Sequence, residues 1–184
     1  MKPNNKGVIN QENLMSLLHY NKVTGVFTWR KRDASLFASA QAERMWNKRY
    51  AGKEAGTVRQ EPGGYRVILI NGRKYMAHRL AWMYEYGKIP EGCIDHINCN
   101  KLDNNISNLR ECTMSENLMN SKLMRGTMSG IKGVHLHKPS GRWQARLRYD
   151  GKNRHVGSYG TKEEAKNAII AKRNEVHGEF ARHE

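Results

Sequence analysis

The chain has 184 residues, 38% hydrophobic and 27% charged, and its 32 Lys and Arg against 17 Asp and Glu give a formal charge of +15. That length suits one sizeable domain or two small ones, and that charge makes nucleic acid or an anionic surface the natural partner. No apolar run approaches the roughly 18 residues of a spanning helix, and Met1 to Asn10 lacks the apolar stretch of a secretory signal, so the expectation is a cytoplasmic protein with no membrane span. Cys93, Cys99 and Cys112 are odd in number and form no CxxC pair, which speaks against a disulfide framework and leaves zinc a disfavoured ligand.

In chain order, Leu14, Leu17 and Leu18 at helical spacing predict a helix over residues 11–19, followed by a strand at Val26 to Trp29. From Tyr65 the run YRVILI, then Asn71-Gly72, then RKYMA predicts a β-hairpin, because Asn-Gly supplies the positive φ angles of a type I′ turn. His78 to Tyr86 reads as a short helix ended by Gly87 and Pro90. A short strand ending at Ile97, a polar loop from Asn98 to Ser107 and a second strand through Leu109 to Cys112 come next. Thr113-Met114-Ser115-Glu116 matches a capping box and starts a further helix. Residues 121–130, poor in large apolar side chains, are expected to be a linker between a module at 1–120 and a module at 131–184.

Asp95-His96, with Asn108 and Asn117 downstream, is the constellation that carries chemistry. An Asp carboxylate and an Asn carbonyl are hard oxygen donors suited to Mg²⁺ or Mn²⁺, and Asp95 with Asn117 supplies that pair. His96, with an ordinary pKa of about 6.5, is suited to remove a proton from an attacking water. Asp-His in a loop is also found in plain turns with a surface histidine.

The residues from Tyr75 to Asn120, with Ala77-His78-Arg79-Leu80-Ala81-Trp82, Asp95-His96-Ile97, the Asn100 to Asn105 string, Asn108-Leu109-Arg110 and Ser115-Glu116-Asn117, resemble an HNH homing endonuclease of the phage and intron type. The resemblance implies a ββα-metal (His-Me) finger in which Asp95 and Asn117 hold the metal, His96 is the general base, and Asn108 braces the loop and orients His96. Asn117 stands where many HNH enzymes have His, which favours Mg²⁺ over a transition metal. His78 and Arg79 are candidate phosphate contacts, with helix-surface packing the alternative.

Beyond the linker, runs at Gly130 to Lys138, Arg142 to Tyr149 and Arg154 to Tyr159 predict strands, and Lys162 to His177 a helix. In RWQARLRY the residues Arg142, Gln144, Arg146 and Arg148 fall on one face, with Trp143, Ala145, Leu147 and Tyr149 on the other. The segments Gly130-Ile131-Lys132-Gly133-Val134, Gly141 to Ala145, His155 to Tyr159 and Thr161 to Ala165 resemble an ethylene-response-factor DNA-binding domain. That resemblance implies a three-stranded sheet laid in the major groove, with Lys132, Arg142, Trp143, Arg146, Arg148 and Arg154 as candidate DNA contacts.

The expected architecture is therefore α+β: a nuclease finger followed by a small three-stranded antiparallel sheet with one packed helix. The expected activity is metal-dependent, site-specific hydrolysis of double-stranded DNA by a monomer that nicks, with no small-molecule cofactor. A DNA-binding regulator with a non-catalytic or zinc-stabilised finger is the alternative, and an RNA-processing protein fits the charge but neither resemblance.

Overall fold

The computed structural model describes residues 9–59, 64–121, 123 and 127–183. Residues 122 and 124–126 of the expected linker, and residues 1–8 ahead of the first helix, lie outside the described residues. The chain divides into two compact units, 1–111 and 112–184, so the division falls ahead of the expected linker at 121–130.

In the first unit Asn10 caps α1 (Gln11–Leu17), its side chain accepting the Asn13 N–H at 2.8 Å. The helix stops two residues short of the expected end because Leu18 takes up extended backbone (φ −131, ψ 145). Leu18 opens β1 (Leu18–Asn21), a strand the leucine spacing concealed, and β1 pairs antiparallel with β2 (Val26–Trp29). Alternation sends Leu18 and Tyr20 inward, where Tyr20 stacks on Phe27 at 4.6 Å. A second element without a sequence expectation follows: α2 (Ala40–Tyr50), capped by Ser39.

The Asn-Gly hairpin is present as β4 (Arg66–Ile70) and β5 (Arg73–Met76), with Asn71 at φ 49 and Gly72 at φ 80. A short β3 (Thr57–Val58) completes a three-stranded antiparallel sheet in the order β3-β4-β5. The chain enters α3 (Ala77–Tyr86) directly from β5, and Ala77, Leu80, Ala81 and Met83 bury one face of that helix. They meet Leu14, Leu18, Phe27, Ile68 and Ile70 in a single core, to which each fully buried side chain contributes about 1.5–3 kcal/mol. A two-stranded sheet of β6 (Cys93–His96) and β7 (Leu109–Cys112) closes this part of the chain and sends Ile94 and Leu109 into the same core.

The second unit begins with α4 (Met114–Met119), where the expected capping box between Thr113 and Glu116 is formed. Its sheet has the antiparallel order β10-β9-β8, from β8 (Val134–His137), β9 (Arg142–Tyr149) and β10 (Lys152–Tyr159). Helix α5 (Lys162–His177), capped by the Thr161 and Glu164 box, buries Ala165, Ile169, Arg173 and His177, one residue per turn. Val134 and Ala145 receive Ala165 and Ile169 in the small core. Among the described residues no helix is long and apolar enough to cross a membrane.

Candidate active site

Strand β6 carries Asp95 and His96, which are 5% and 4% exposed. Consecutive strand residues point to opposite faces, and the two side chains meet different neighbours. The Asp95 carboxylate accepts Nε of Arg110 at 3.0 Å and its second guanidinium nitrogen at 2.9 Å, both at Oδ2. A buried carboxylate is tolerated only with such a partner, and the guanidinium fork also fixes its orientation.

The His96 ring lies with its centroid 5.1 Å from that of His78, edge on, and 6.0 Å from that of Tyr65. Its Nε2 is 3.2 Å from Oδ1 of Asn104, a residue only 1% exposed. Asn104 donates through Nδ2 to the Leu102 carbonyl at 3.2 Å, so the amide orientation satisfying both contacts turns its oxygen toward His96. An amide oxygen can only accept. Nε2 therefore carries the proton, and Nδ1 is the basic nitrogen of neutral His96.

Burial lowers the His96 pKa from its ordinary value, opposed in part by the Asn104 hydrogen bond and the Asp95 charge. His78, 7% exposed, is pushed down to about 3 by burial and then by the neighbouring His96 and Arg79. Burial raises Tyr65, with Asp95 and Cys93 adding to it. This cluster of rings thus favours the uncharged forms, and His96 is held in its base form near neutral pH. His78 Nδ1 is buried without a hydrogen-bond partner among the described residues.

The loop after β6 is held by its own polar side chains. Asn108 accepts the Asn98 N–H at 3.0 Å and donates to the Asp103 carbonyl at 2.8 Å, while its own carbonyl accepts the Ile97 N–H at 2.9 Å. Asn98 in turn donates to the Asp103 carboxylate at 2.7 Å. The β1-β2 hairpin pins the loop from outside: Tyr20 donates to the Asn104 carbonyl, and the Asn105 side chain to the Val23 carbonyl, each at 2.7 Å. Gly25, at φ +71, lies so close that a Cβ there would stand 2.4 Å from Asn104 C and Asn105 N.

Among the expected site residues, Asp95, His96, Asn108 and His78 lie in the first unit, and Asn104 is hydrogen-bonded to the His96 ring. Asn117 occupies the first turn of α4 in the second unit. Arg79 donates to the carbonyls of Pro90 at 3.0 Å and Gly92 at 3.4 Å, strapping the loop after α3. The donor types of Asp95 and Asn117, a carboxylate and an amide oxygen, fit a hard divalent ion. Among the described residues no three His, Cys, Asp or Glu side chains gather as a metal cage.

In the second unit Arg142, Arg146 and Arg148 are exposed along one face of β9, while Trp143 packs on the core side. Arg142 donates to the Ser158 carbonyl at 2.9 Å, and Arg154 lies 4.9 Å over the Tyr149 ring and 3.5 Å from Asp150. Lys132 is half-buried and donates to the carbonyls of Met119 at 2.9 Å and Ser121 at 2.6 Å, anchoring the C-terminal end of α4. Sequence reasoning missed Asn104, Tyr65 and Arg110. The asparagine-rich string was visible, but nothing in it distinguished the member that faces the imidazole.

Residues 75–119 match the model of the HNH endonuclease family. Protein 3.8 of Escherichia phage T7 is 35% identical over 106 residues, covering 57% of this chain and 87% of that protein. An uncharacterized HNH endonuclease of Acanthamoeba polyphaga mimivirus is 31% identical over 119 residues, 64% of this chain and 61% of its own length. A Bacillus subtilis SPbeta prophage protein named for HNH homing endonucleases is 37% identical over 78 residues, 39% of this chain and 44% of its own length. The chain thus spans less than two thirds of the two relatives named as HNH endonucleases. No solved structure matches it significantly.

Proposed function

We propose a metal-dependent, site-specific DNA endonuclease, from the premise that the chain belongs to one family with Protein 3.8 of phage T7 and carries an HNH endonuclease domain at residues 75–119. The observation that carries the reading is a buried His96 tied through Nε2 to Asn104, with Nδ1 as its basic nitrogen, next in sequence to a carboxylate oriented by Arg110. In this reading β6, β7 and α4 are a ββα-metal finger, and Asp95 with Asn117 holds Mg²⁺ or Mn²⁺. When bound, the ion stabilises charge developing on the scissile phosphate and the leaving oxygen.

The protein residues then have separate roles. His96 accepts a proton from the attacking water at Nδ1, and Asn104 keeps the ring in the tautomer that makes this possible. Asn108 holds the loop on which Asn104 sits. Arg110 keeps the Asp95 carboxylate aimed. The β8-β9-β10 sheet serves as an ethylene-response-factor-like reader, with Arg142, Arg146 and Arg148 directed at base edges or phosphates in the major groove and Arg154 at its margin. One finger per chain implies one strand cut per encounter, so a homing-type monomer would nick.

The test is cleavage of long duplex DNA with Mg²⁺, beside EDTA and a His96→Ala variant. Loss of a positioned base should slow cleavage about 10²–10⁴-fold while gel-shift binding persists. Equal cleavage by the variant would remove His96 from the chemistry. Arg146→Ala with Arg148→Ala should relax site preference, by about 1–3 kcal/mol for each arginine that reads a base edge.

A further inference from the structure

Helix α2 and the segment leading into it belong neither to the nuclease site nor to the C-terminal sheet. Residues 30–53 hold seven Lys and Arg against two acids, Asp33 and Glu43. The inner face of α2 is anchored by Trp46, whose ring meets Trp29 edge on at 5.7 Å and carries the Arg32 guanidinium at 4.0 Å. Asn47 completes the latch, accepting the Arg32 N–H at 2.9 Å and donating to the Arg32 carbonyl at 3.0 Å. The outer face displays Arg44, Met45, Lys48 and Arg49, all exposed, Met45 at 65%.

Two features set this face apart from an ordinary solvated helix. On α5 two of the three lysines are matched by acids at i,i+3: Lys166 with Glu163 and Lys172 with Glu175. On α2 the only acid, Glu43, accepts a hydrogen bond from Asn47 at 2.9 Å. Asp33 is engaged in capping the Ser35 N–H. Among the described residues Arg44, Lys48, Lys31 and Lys53 belong to no ion pair. The second feature is rigidity, since a latch of two tryptophans and a stacked arginine holds the cations in register, as a polyanion with fixed spacing requires.

We infer that the outer face of α2 is a DNA phosphate-docking surface of the nuclease unit, separate from the C-terminal sheet. Its partner is the sugar-phosphate backbone of the duplex being cut, which point charges such as Lys48 grip without reading sequence. The placement supports this. The β1-β2 hairpin touches the His96 loop at its Gly25 end and meets Trp46 at its Trp29 end, and four strand residues span about 13 Å, close to the rise of four base pairs. Helix α2 is therefore packed on the same hairpin that touches the His96 loop, one strand length away from that contact. This inference rests on the endonuclease reading for its substrate.

The test measures duplex binding by the full chain across a salt series for Arg44→Gln/Lys48→Gln, with Lys166→Gln/Lys172→Gln as a charge-matched control. Each phosphate that is no longer neutralised should lower the slope of log K against log salt by about 0.9, so the α2 pair should lower it by nearly 2. The control should leave it close to wild type, and melting curves of both variants should stay near that of wild type, since surface ion pairs contribute little. Equal slopes in both variants would reduce the effect to net charge and overturn the inference while leaving the endonuclease reading intact. A loss confined to RNA would reassign the face and overturn it as well. A wild-type chain that binds no DNA would overturn both.

Discussion

At Gly25 the hairpin comes against the loop that carries Asn104, and Gly25→Ala tests whether that approach positions His96. The substitution has two costs. An L-residue at φ +71 loses about 1–2 kcal/mol to left-handed backbone. The new Cβ would also stand 2.4 Å from two backbone atoms of Asn104 and Asn105, about 1 Å inside ordinary contact, and overpacking of that kind costs about 1–3 kcal/mol. Gly52→Ala separates the two, since Gly52 has φ +76 and nothing within 4 Å of the added carbon. Both variants should bear the backbone cost, but only Gly25→Ala should bear the overpacking cost, a further drop in melting temperature on the order of 10 °C. Because Asn104 holds His96, a shift of about 1 Å should also slow cleavage by as much as ~10²-fold in single-turnover assays, with DNA affinity retained. Identical melting and cleavage for the two variants would refute the idea that the hairpin holds the loop.

Other perturbations follow from the same geometry. Arg110→Ala removes the ion pair at the buried Asp95 carboxylate and should destabilise the fold by about 3–5 kcal/mol in denaturant titrations, whereas Arg110→Met with Asp95→Leu should recover much of that stability but no cleavage. His78 has a folded pKa of about 3, depressed below its unfolded value near 6.5, so the unfolded state binds more protons between those values. Its contribution is fully present above pH 6.5 and is lost as pH falls toward 3, at up to about 1.4 kcal/mol per pH unit; His78→Leu should flatten that part of a melting-temperature profile. Trp46→Ala removes the latch of α2 and, at a half-buried site, should cost about 2–3 kcal/mol, seen as faster proteolysis within residues 30–53 ahead of global unfolding.

What the sequence made legible was local. The Asn71-Gly72 hairpin, the Thr113 capping box and the alternation of β9 all announce themselves within a few residues, and the structure forms each of them. Leu18 is ambiguous because leucines at positions 14, 17 and 18 satisfy a helical period equally well whether the last continues the helix or starts a strand. Helix α2 escaped because it has no buried residue: its anchor is a Trp-Arg-Asn latch, and apolar periodicity carries no sign of that. Asn104 and Arg110 escaped for a different reason. Their partners, His96 and Asp95, are brought to them by loop closure and strand pairing, at separations of 8 and 15 residues that no local pattern encodes.

The charge of +15 gains meaning from where the acids go. Glu116 and Glu164 close capping boxes, Asp95 holds Arg110, Glu54 holds Arg66, and Glu163 and Glu175 hold lysines of α5. With so many acids engaged at short range, the positive excess is left concentrated at exposed sites that lack local acids. Two such stretches stand out, the outer face of α2 in the first unit and the arginine face of β9 in the second. A protein that needed positive charge only for solubility would have no reason to mount it on a latched helix and on one face of a sheet while α5 pairs Lys166 and Lys172 with acids. On the endonuclease reading, unbalanced cations in both units would each hold the duplex by its phosphates, and removing either set should shorten the footprint.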